Sequence, residues 1–277
     1  MNRPIVVAEI GINHDGDIDQ AIRLIDLAKA CGINYVKFQK RTVDLVYTPV
    51  DLAKPKQTCF GDTYGAEKRG LEFGKGEYDI IDAHCKNIGV KWFASVWDVP
   101  SVDFMMQYDV PWLKLASCCC NHWELLMKVA EAGRKSILSV GMSTSTEIDR
   151  AVDILEDNLE YMLYTTSIYP CPDNLVNLTA MLDLSFKYRD ACKIGFSSHS
   201  DKVIYPSASA AMGAKMIEFH ITLDRGLPGA DHAASIGPVG VKRIADHVNS
   251  LNSGIGMGWH EPSEEELSKG RKYPWRD

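Results

Sequence analysis

Apolar residues fall along this chain in a two-part rhythm: a short β-rich run, then a longer segment with apolar positions three and four apart. PIVVAEI (4–10) is the first such run, and DQAIRLIDLAKACG (19–32) follows with helical spacing and a closing glycine. NYVKFQ (34–39) is the second predicted strand. A polar segment at 40–75, carrying Pro, Gly and charge, breaks the rhythm and reads as an extended loop near a site. The rhythm then resumes. Predicted helices at 77–88, 100–108, 123–132, 145–156, 178–189, 202–213 and 238–252 alternate with strands at 90–95, 111–117, 135–140, 160–165, 192–197 and 214–220.

Eight strand–helix units predict an α/β fold, a (β/α)8 TIM barrel, over residues 1–260 as a single domain. The polar stretch 261–277 reads as a C-terminal surface extension. A doubly wound open sheet is the alternative. It usually has fewer strands and a glycine-rich first turn, and GINHDGD is not G-x-G-x-x-G.

Composition narrows the class. A length of 277 residues suits one such barrel, and 45% hydrophobic with 24% charged residues supplies a core without disulfides or structural metal. Net charge is −7 with no basic stripe, which argues against nucleic acid. An anionic substrate stays compatible, because local lysines and histidines decide that. No apolar run reaches membrane-spanning length, and MNRPIVVAEIG lacks a signal-peptide pattern. The eight cysteines show no C-x-x-C and no metal-finger spacing, and read as reduced thiols of a cytoplasmic protein.

In such barrels chemistry sits at the C-terminal ends of the strands. Those ends carry Glu9, Asn13 and His14; Lys37 and Gln39; Ser95; Lys114 and Ser117; Thr166, Ser167 and Tyr169; Ser197 and His199; and His220, with Asp231 and His232 on its loop. Either lysine alone is explained by an ion pair or a solvated rim. Two lysines at equivalent strand ends, beside serines, point to an anion site that suits phosphate plus carboxylate. His199 and His220 end adjacent predicted strands, near Glu9 and Asp231. Two readings stand for them: hydrogen-bonded barrel histidines, or ligands sharing one divalent ion, Mn2+ or Mg2+ rather than zinc. LKLASCCCNH (113–122) raises a separate question. Its cysteines read as small, half-buried apolar side chains rather than a metal or redox device.

The blocks AEIGINHDGDIDQAIRLIDLAKACGINYVKFQ, VPWLKLAS, ILSVGMST, IYPCPDNLVNLTAM, IGFSSHS and AKMIEFHITLDRGLPGADHAAS, in this order, resemble the N-acetylneuraminate (sialic acid) synthase family. That family condenses phosphoenolpyruvate with an N-acylated aldose, using a divalent metal, to give a nonulosonic acid and phosphate. The resemblance implies that Lys37, Ser95, Lys114, Ser117 and Ser197 contact phosphoenolpyruvate. It implies that His199 and His220 hold the metal, that Glu9 lies near the reacting centre, and that Gln39, Tyr169 and Asp231 complete the site. Glu9, Lys37, Lys114, His199 and His220 are thereby expected to be catalytic.

The departures concern the acceptor end. Cys118 and Cys119 stand where the family has Gly and an acidic residue, Ser198 where it has Asp, Ser167 where it has Asn, and Val96 where it has a phosphate-contacting Thr. Cys119 and Ser167 are expected to face the aldose. The sequence stops where the family continues into an antifreeze-like capping domain, so an altered acceptor or weaker catalysis is expected. Family members dimerise through contacts that include the cap, and the resemblance leaves a homodimer open here. Two rivals remain: a synthase for another aldose or an aldose phosphate, and a non-catalytic binding or regulatory protein. An aldose phosphate needs a second phosphate-binding set, and no extra arginine cluster is legible in the sequence.

Overall fold

The computed structural model describes residues 3–256, 258, 261–270 and 272. Among the described residues ten strands occur in chain order: β1 (Ile5–Gly11), β2 (Tyr35–Lys40), β3 (Pro55–Thr58), β4 (Gly61–Thr63), β5 (Lys91–Val96), β6 (Leu113–Leu115), β7 (Ser136–Ser139), β8 (Leu159–Tyr164), β9 (Lys193–Ser198) and β10 (Met216–His220). All but β3 and β4 pair in parallel and close on themselves in the order β1-β10-β9-β8-β7-β6-β5-β2. This is the predicted (β/α)8 barrel. Its strands are covered on both sides, so they read as nearly continuous apolar runs such as Val6–Ile10.

Each surrounding helix buries one stripe. In Ile18–Ala30 the stripe is Ala21, Leu24, Ile25 and Ala28, spaced three and four apart. The starts are capped: the Asp17 carboxylate accepts from Asp19 N–H, and Thr144 with Glu147 forms a reciprocal capping box on Ser145–Leu155. Gly89 ends Lys75–Ile88 in the left-handed region.

Most predicted boundaries move by one to three residues. The fourth predicted strand shrinks most, from 111–117 to Leu113–Leu115, because Ser117–Cys119 turns into a 3-10 helix directly after Ala116. The segment 40–75 departs from expectation. It is not an extended loop but two helical turns (Val43–Val46 and Pro49–Leu52), the antiparallel β3–β4 hairpin, and a helix at Tyr64–Gly70. These pieces are too short for hydrophobic periodicity to register. Local caps carry them instead: Thr48 accepts from Asp51 N–H and Thr63 from Ala66 N–H. Of the expected 261–277 extension, Glu264–Gly270 is helical, and residues 271 and 273–277 lie outside the described residues. Residues 1, 2, 257, 259 and 260 of the expected 1–260 domain also lie outside them. Among the described residues no helix is long and apolar enough to cross a membrane.

Candidate active site

Strand register assembles the site. Glu9 on β1 lies level with Lys37 on one side and His220 on the other. Ser95 lies level with Lys114, and Glu218 with Ser197. A left-handed Gly11 (φ 56°) ends β1 at a register shift. A Cβ there would stand 3.1 Å from Glu9 Oε1 and 3.2 Å from Gln39 Nε2, so glycine lets the backbone pass over both. Gly141, after β7, has the same use: its N–H donates to Ser117 Oγ at 3.2 Å, and a Cβ would press on Ser167 Oγ.

The floor is a buried charge network. Lys37 Nζ is 2.8 Å from Glu9 Oε2 and donates to Ser95 Oγ at 2.7 Å. Lys114 Nζ donates to Ser139 Oγ at 2.8 Å. Both ammonium groups converge on Glu218 Oε1, at 3.8 Å from Lys37 and 3.7 Å from Lys114, and Ser197 Oγ donates to the same oxygen at 3.0 Å. All four charged side chains are at most 4% exposed. Buried charges of this kind persist only when paired.

Burial opposes the charge on Glu218, but Lys114 and Lys37 outweigh it and hold the carboxylate at about 2. Burial likewise opposes the Lys37 proton, and Glu218 and Glu9 more than compensate, so Lys37 sits above the ordinary ammonium value. Lys114 is less well matched: burial draws it down to about 8 against the pull of Glu218. Burial raises Glu9 above the usual carboxylate range, with Lys37 acting against it.

The histidines stand beside this network. His199 Nδ1 faces Thr166 O at 2.8 Å, and a carbonyl only accepts, so the proton is on Nδ1 and Nε2 keeps its lone pair. The Tyr169 hydroxyl donates to that Nε2 at 2.8 Å, and the two rings stack at 4.0 Å. Burial, helped by His220, lowers His199 to about 3, so the ring is neutral. The His220 ring centroid is 5.6 Å away. Its Nδ1 is buried without a hydrogen-bond partner, 3.7 Å from Asp231 Oδ2. The orphaned His220 nitrogen beside Asp231 fits a divalent ion, and His199 Nε2 would join it where the Tyr169 hydroxyl gives way. Among the described residues no group of three or more His, Cys, Asp or Glu side chains is placed to hold a metal by itself.

The floor network, both histidines and Tyr169 line an open pocket of about 730 Å³ at the C-terminal mouth of the barrel. Residues 24–259 match the family model described as the NeuB family. The chain belongs to the NeuB family. It is similar to the N-acetylneuraminate-9-phosphate synthase of Homo sapiens, 34% identical over 91% of this chain and 71% of the human protein. It is also similar to the N,N'-diacetyllegionaminic acid synthase of Campylobacter jejuni, 30% identical over 96% of this chain and 81% of that protein. A crystal structure of an N-acetylneuraminic acid synthetase from Leptospira borgpetersenii superposes with a TM-score of 0.85, at 30% identity, over 98% of this chain and 91% of that one.

In this NeuB chain every residue expected at the site lines the pocket except Cys119 and Asp231. Asp231 stands beside His220, with Oδ2 3.7 Å from its Nδ1. Cys119 is buried and opens onto a neighbouring cleft, so Cys118 holds the pocket wall where Cys119 was expected. Val96 and Ser198 are buried and do not line the pocket. Four other strand-end candidates brace loops, among them Thr166, whose Oγ1 donates to Leu175 O at 2.8 Å. His14 stacks on Phe73 at 3.9 Å, Asn13 Nδ2 donates to Ile221 O at 2.8 Å, and His232 bonds Thr222 and Asp15. Sequence reasoning missed Glu218, Ser139 and Trp97. Glu218 is two residues before His220 on one strand, and the strand period of two places both on the inner face. The same rule applied to KSILSV selects Ser139.

Proposed function

We propose that this chain condenses phosphoenolpyruvate with an aldose, an N-acylated hexosamine or a close analogue, to give a 3-deoxy-2-keto (nonulosonic) acid and phosphate. We take residues 1–260 as one synthase domain. The observation that carries the proposal is the pair of buried lysines sharing Glu218, ringed by Ser95, Ser139 and Ser197 at the pocket floor. Two ammonium groups and hydroxyls in a desolvated floor suit a small, multiply charged anion. Family membership, and the names of the relatives above, support the same reaction class.

Lys37, Lys114, Ser117 and the floor serines hold phosphoenolpyruvate so that its C3 faces the acceptor carbonyl, converting encounter into positioning. C3 forms the new bond to the aldehyde carbon, positive charge develops at C2, water adds there, and phosphate leaves by C–O cleavage. Glu218 and Glu9 stand close enough to offset that positive charge. Glu9, raised by burial, is suited to hold or move a proton at the acceptor end. Gln39, whose Nε2 donates to Glu9 Oε1 at 3.2 Å, orients that carboxylate. A divalent ion, Mn2+ or Mg2+, held by His199 and His220 would supply Lewis-acid polarisation of the carbonyl oxygen.

The deciding experiment is phosphate release from phosphoenolpyruvate with Mn2+ or Mg2+ and a panel of free, N-acylated and phosphorylated aldoses. Release that requires one aldose is expected. No release with any of them, while phosphoenolpyruvate still raises the melting temperature, would leave a binding protein rather than a synthase. For the metal, His199→Ala and His220→Ala should each abolish calorimetric Mn2+ binding with the fold retained. Undiminished affinity in either variant refutes that ligand assignment.

A further inference from the structure

The reaction proposed above makes no chemical use of the three consecutive cysteines. Ser117–Cys119 is a 3-10 turn, held by Cys119 N–H to Ala116 O at 2.8 Å and Cys120 N–H to Ser117 O at 3.2 Å. The turn brings two neighbouring thiols to one side: Cys118 Sγ and Cys119 Sγ are 3.8 Å apart. Cys120 is buried and interacts with Ser143 instead. All eight cysteines are free. Cys118 is exposed and lines both the pocket over Lys114 and an adjoining cleft of about 1230 Å³ walled by Tyr47, Trp97, Pro100 and His122. Cys119 opens onto that cleft. The thiol pair therefore stands where the two cavities meet.

Adjacent residues have Cα atoms about 3.8 Å apart, closer than the roughly 4.4–6.8 Å of ordinary disulfides, so a direct bridge between these sulfurs would be strained. An inserted atom that bonds both sulfurs relieves that constraint, because the sulfurs keep close to the separation they already have. We propose that Cys118 and Cys119 form a vicinal dithiol site for a thiophilic metalloid, of the class of monosubstituted trivalent arsenicals (arsenoxides), at the junction of the pocket and the cleft.

The step balances without an oxidant. Two As–S bonds form, the As=O bond breaks, and its oxygen leaves as water with the two thiol protons. Arsenic stays trivalent. The order of attack follows from the surroundings. Cys118 is the exposed thiol and Cys119 the buried one, and the contact between them, helped by Lys114 and Arg41, draws Cys118 below the ordinary thiol value and raises Cys119. Cys118 is thus the first nucleophile and Cys119 closes the ring. Closure is intramolecular, which should hold the adduct about 10²- to 10⁴-fold more tightly than one thiol does. The site stands on thiol geometry and does not depend on the reaction proposed for the pocket.

The test uses the reduced full chain, equimolar phenylarsine oxide, a challenge with excess glutathione, and intact-mass measurement. Wild type should keep one arsenical per chain through the glutathione challenge and release it to dithiothreitol. Cys118→Ser and Cys119→Ala should each lose it, with retention falling about 10²- to 10⁴-fold. Cys120→Ser and Cys59→Ser should keep it. Because Cys119 is buried, a thermal melt checks the fold of that variant, and Cys118→Ser, at an exposed position, decides the question alone. Retention undiminished in Cys118→Ser, loss in Cys120→Ser, or no retained adduct in wild type would overturn the assignment.

Discussion

At the floor of the pocket Lys37, Lys114, Glu9 and Glu218 are buried on barrel strands, and each charge is close to an opposite one. At the rim stand Cys118, Met142, Ser167 and Tyr169, uncharged side chains beyond the strand ends, with Cys118, Met142 and Tyr169 open to solvent. The two regions differ in what a substitution leaves behind. Removing one floor charge strands another in a low-dielectric interior, so the floor resists change as a unit. Cys118 and Met142 can be exchanged without stranding a buried charge, whereas Tyr169 is tied to His199 Nε2 by a hydrogen bond. The charged floor is therefore set by the barrel itself, and the uncharged rim is set by the segments that follow the strands.

The largest break in this contrast should come from Glu218→Ala, which leaves buried Lys37 with Glu9 and buried Lys114 without its carboxylate. A loss of about 3–5 kcal/mol in urea unfolding is expected. A loss under about 1 kcal/mol would mean that the lysines are solvated and the floor is not a closed network.

Next in size is ligand stabilisation. Phosphoenolpyruvate at 100 times its Kd should stabilise the chain by about 2.7 kcal/mol, read as a rise in Tm. Lys114→Ala should remove most of that gain. An equal shift in wild type and variant would make Lys114 a structural residue.

The pH dependence sharpens the same point. Lys114 sits at about 8, below the ordinary lysine value, so its ammonium is present well below pH 8 and is shed as pH rises through it. Affinity for phosphoenolpyruvate should hold below about pH 8 and then fall by up to about tenfold per pH unit, or 1.4 kcal/mol. Lys114→Arg should flatten the calorimetric profile, since arginine keeps its proton. A wild-type profile level through pH 8 and above would show that the Lys114 proton plays no part in binding.

The smallest effect belongs to the rim. Cys118→Ala should change unfolding stability by no more than about 0.5 kcal/mol and leave the phosphoenolpyruvate-induced Tm shift intact. A larger change in either would erase the distinction between floor and rim.

Lys37 and Lys114 were legible because a lysine inside an apolar strand run needs a partner. Glu218 satisfies the same test inside AKMIEFH, yet attention to the strand-end His220 passed over it. The cysteines were harder. Whether Cys118 or Cys119 faces the pocket depends on a one-residue difference in where β6 stops and the 3-10 turn starts, and strand periodicity carries no information past the strand end. The 40–75 segment was misread for a related reason: turns and hairpins of three to seven residues are shaped by single caps and contacts, not by a repeating pattern.

The sequence by itself determined the eightfold alternation, the barrel that closes from it, and the presence of lysines, serines and histidines at the mouth. Those features follow from local period and from the burial that each period demands. Only the tertiary structure decided which charge neutralises which. Glu9, Lys37, Lys114 and Glu218 come from four strands, and they meet because closure puts β1 beside both β2 and β10 and turns the inner faces toward one axis. Electrostatic partnership falls off over a few ångströms, so it is a property of register and closure, which no short stretch of chain contains.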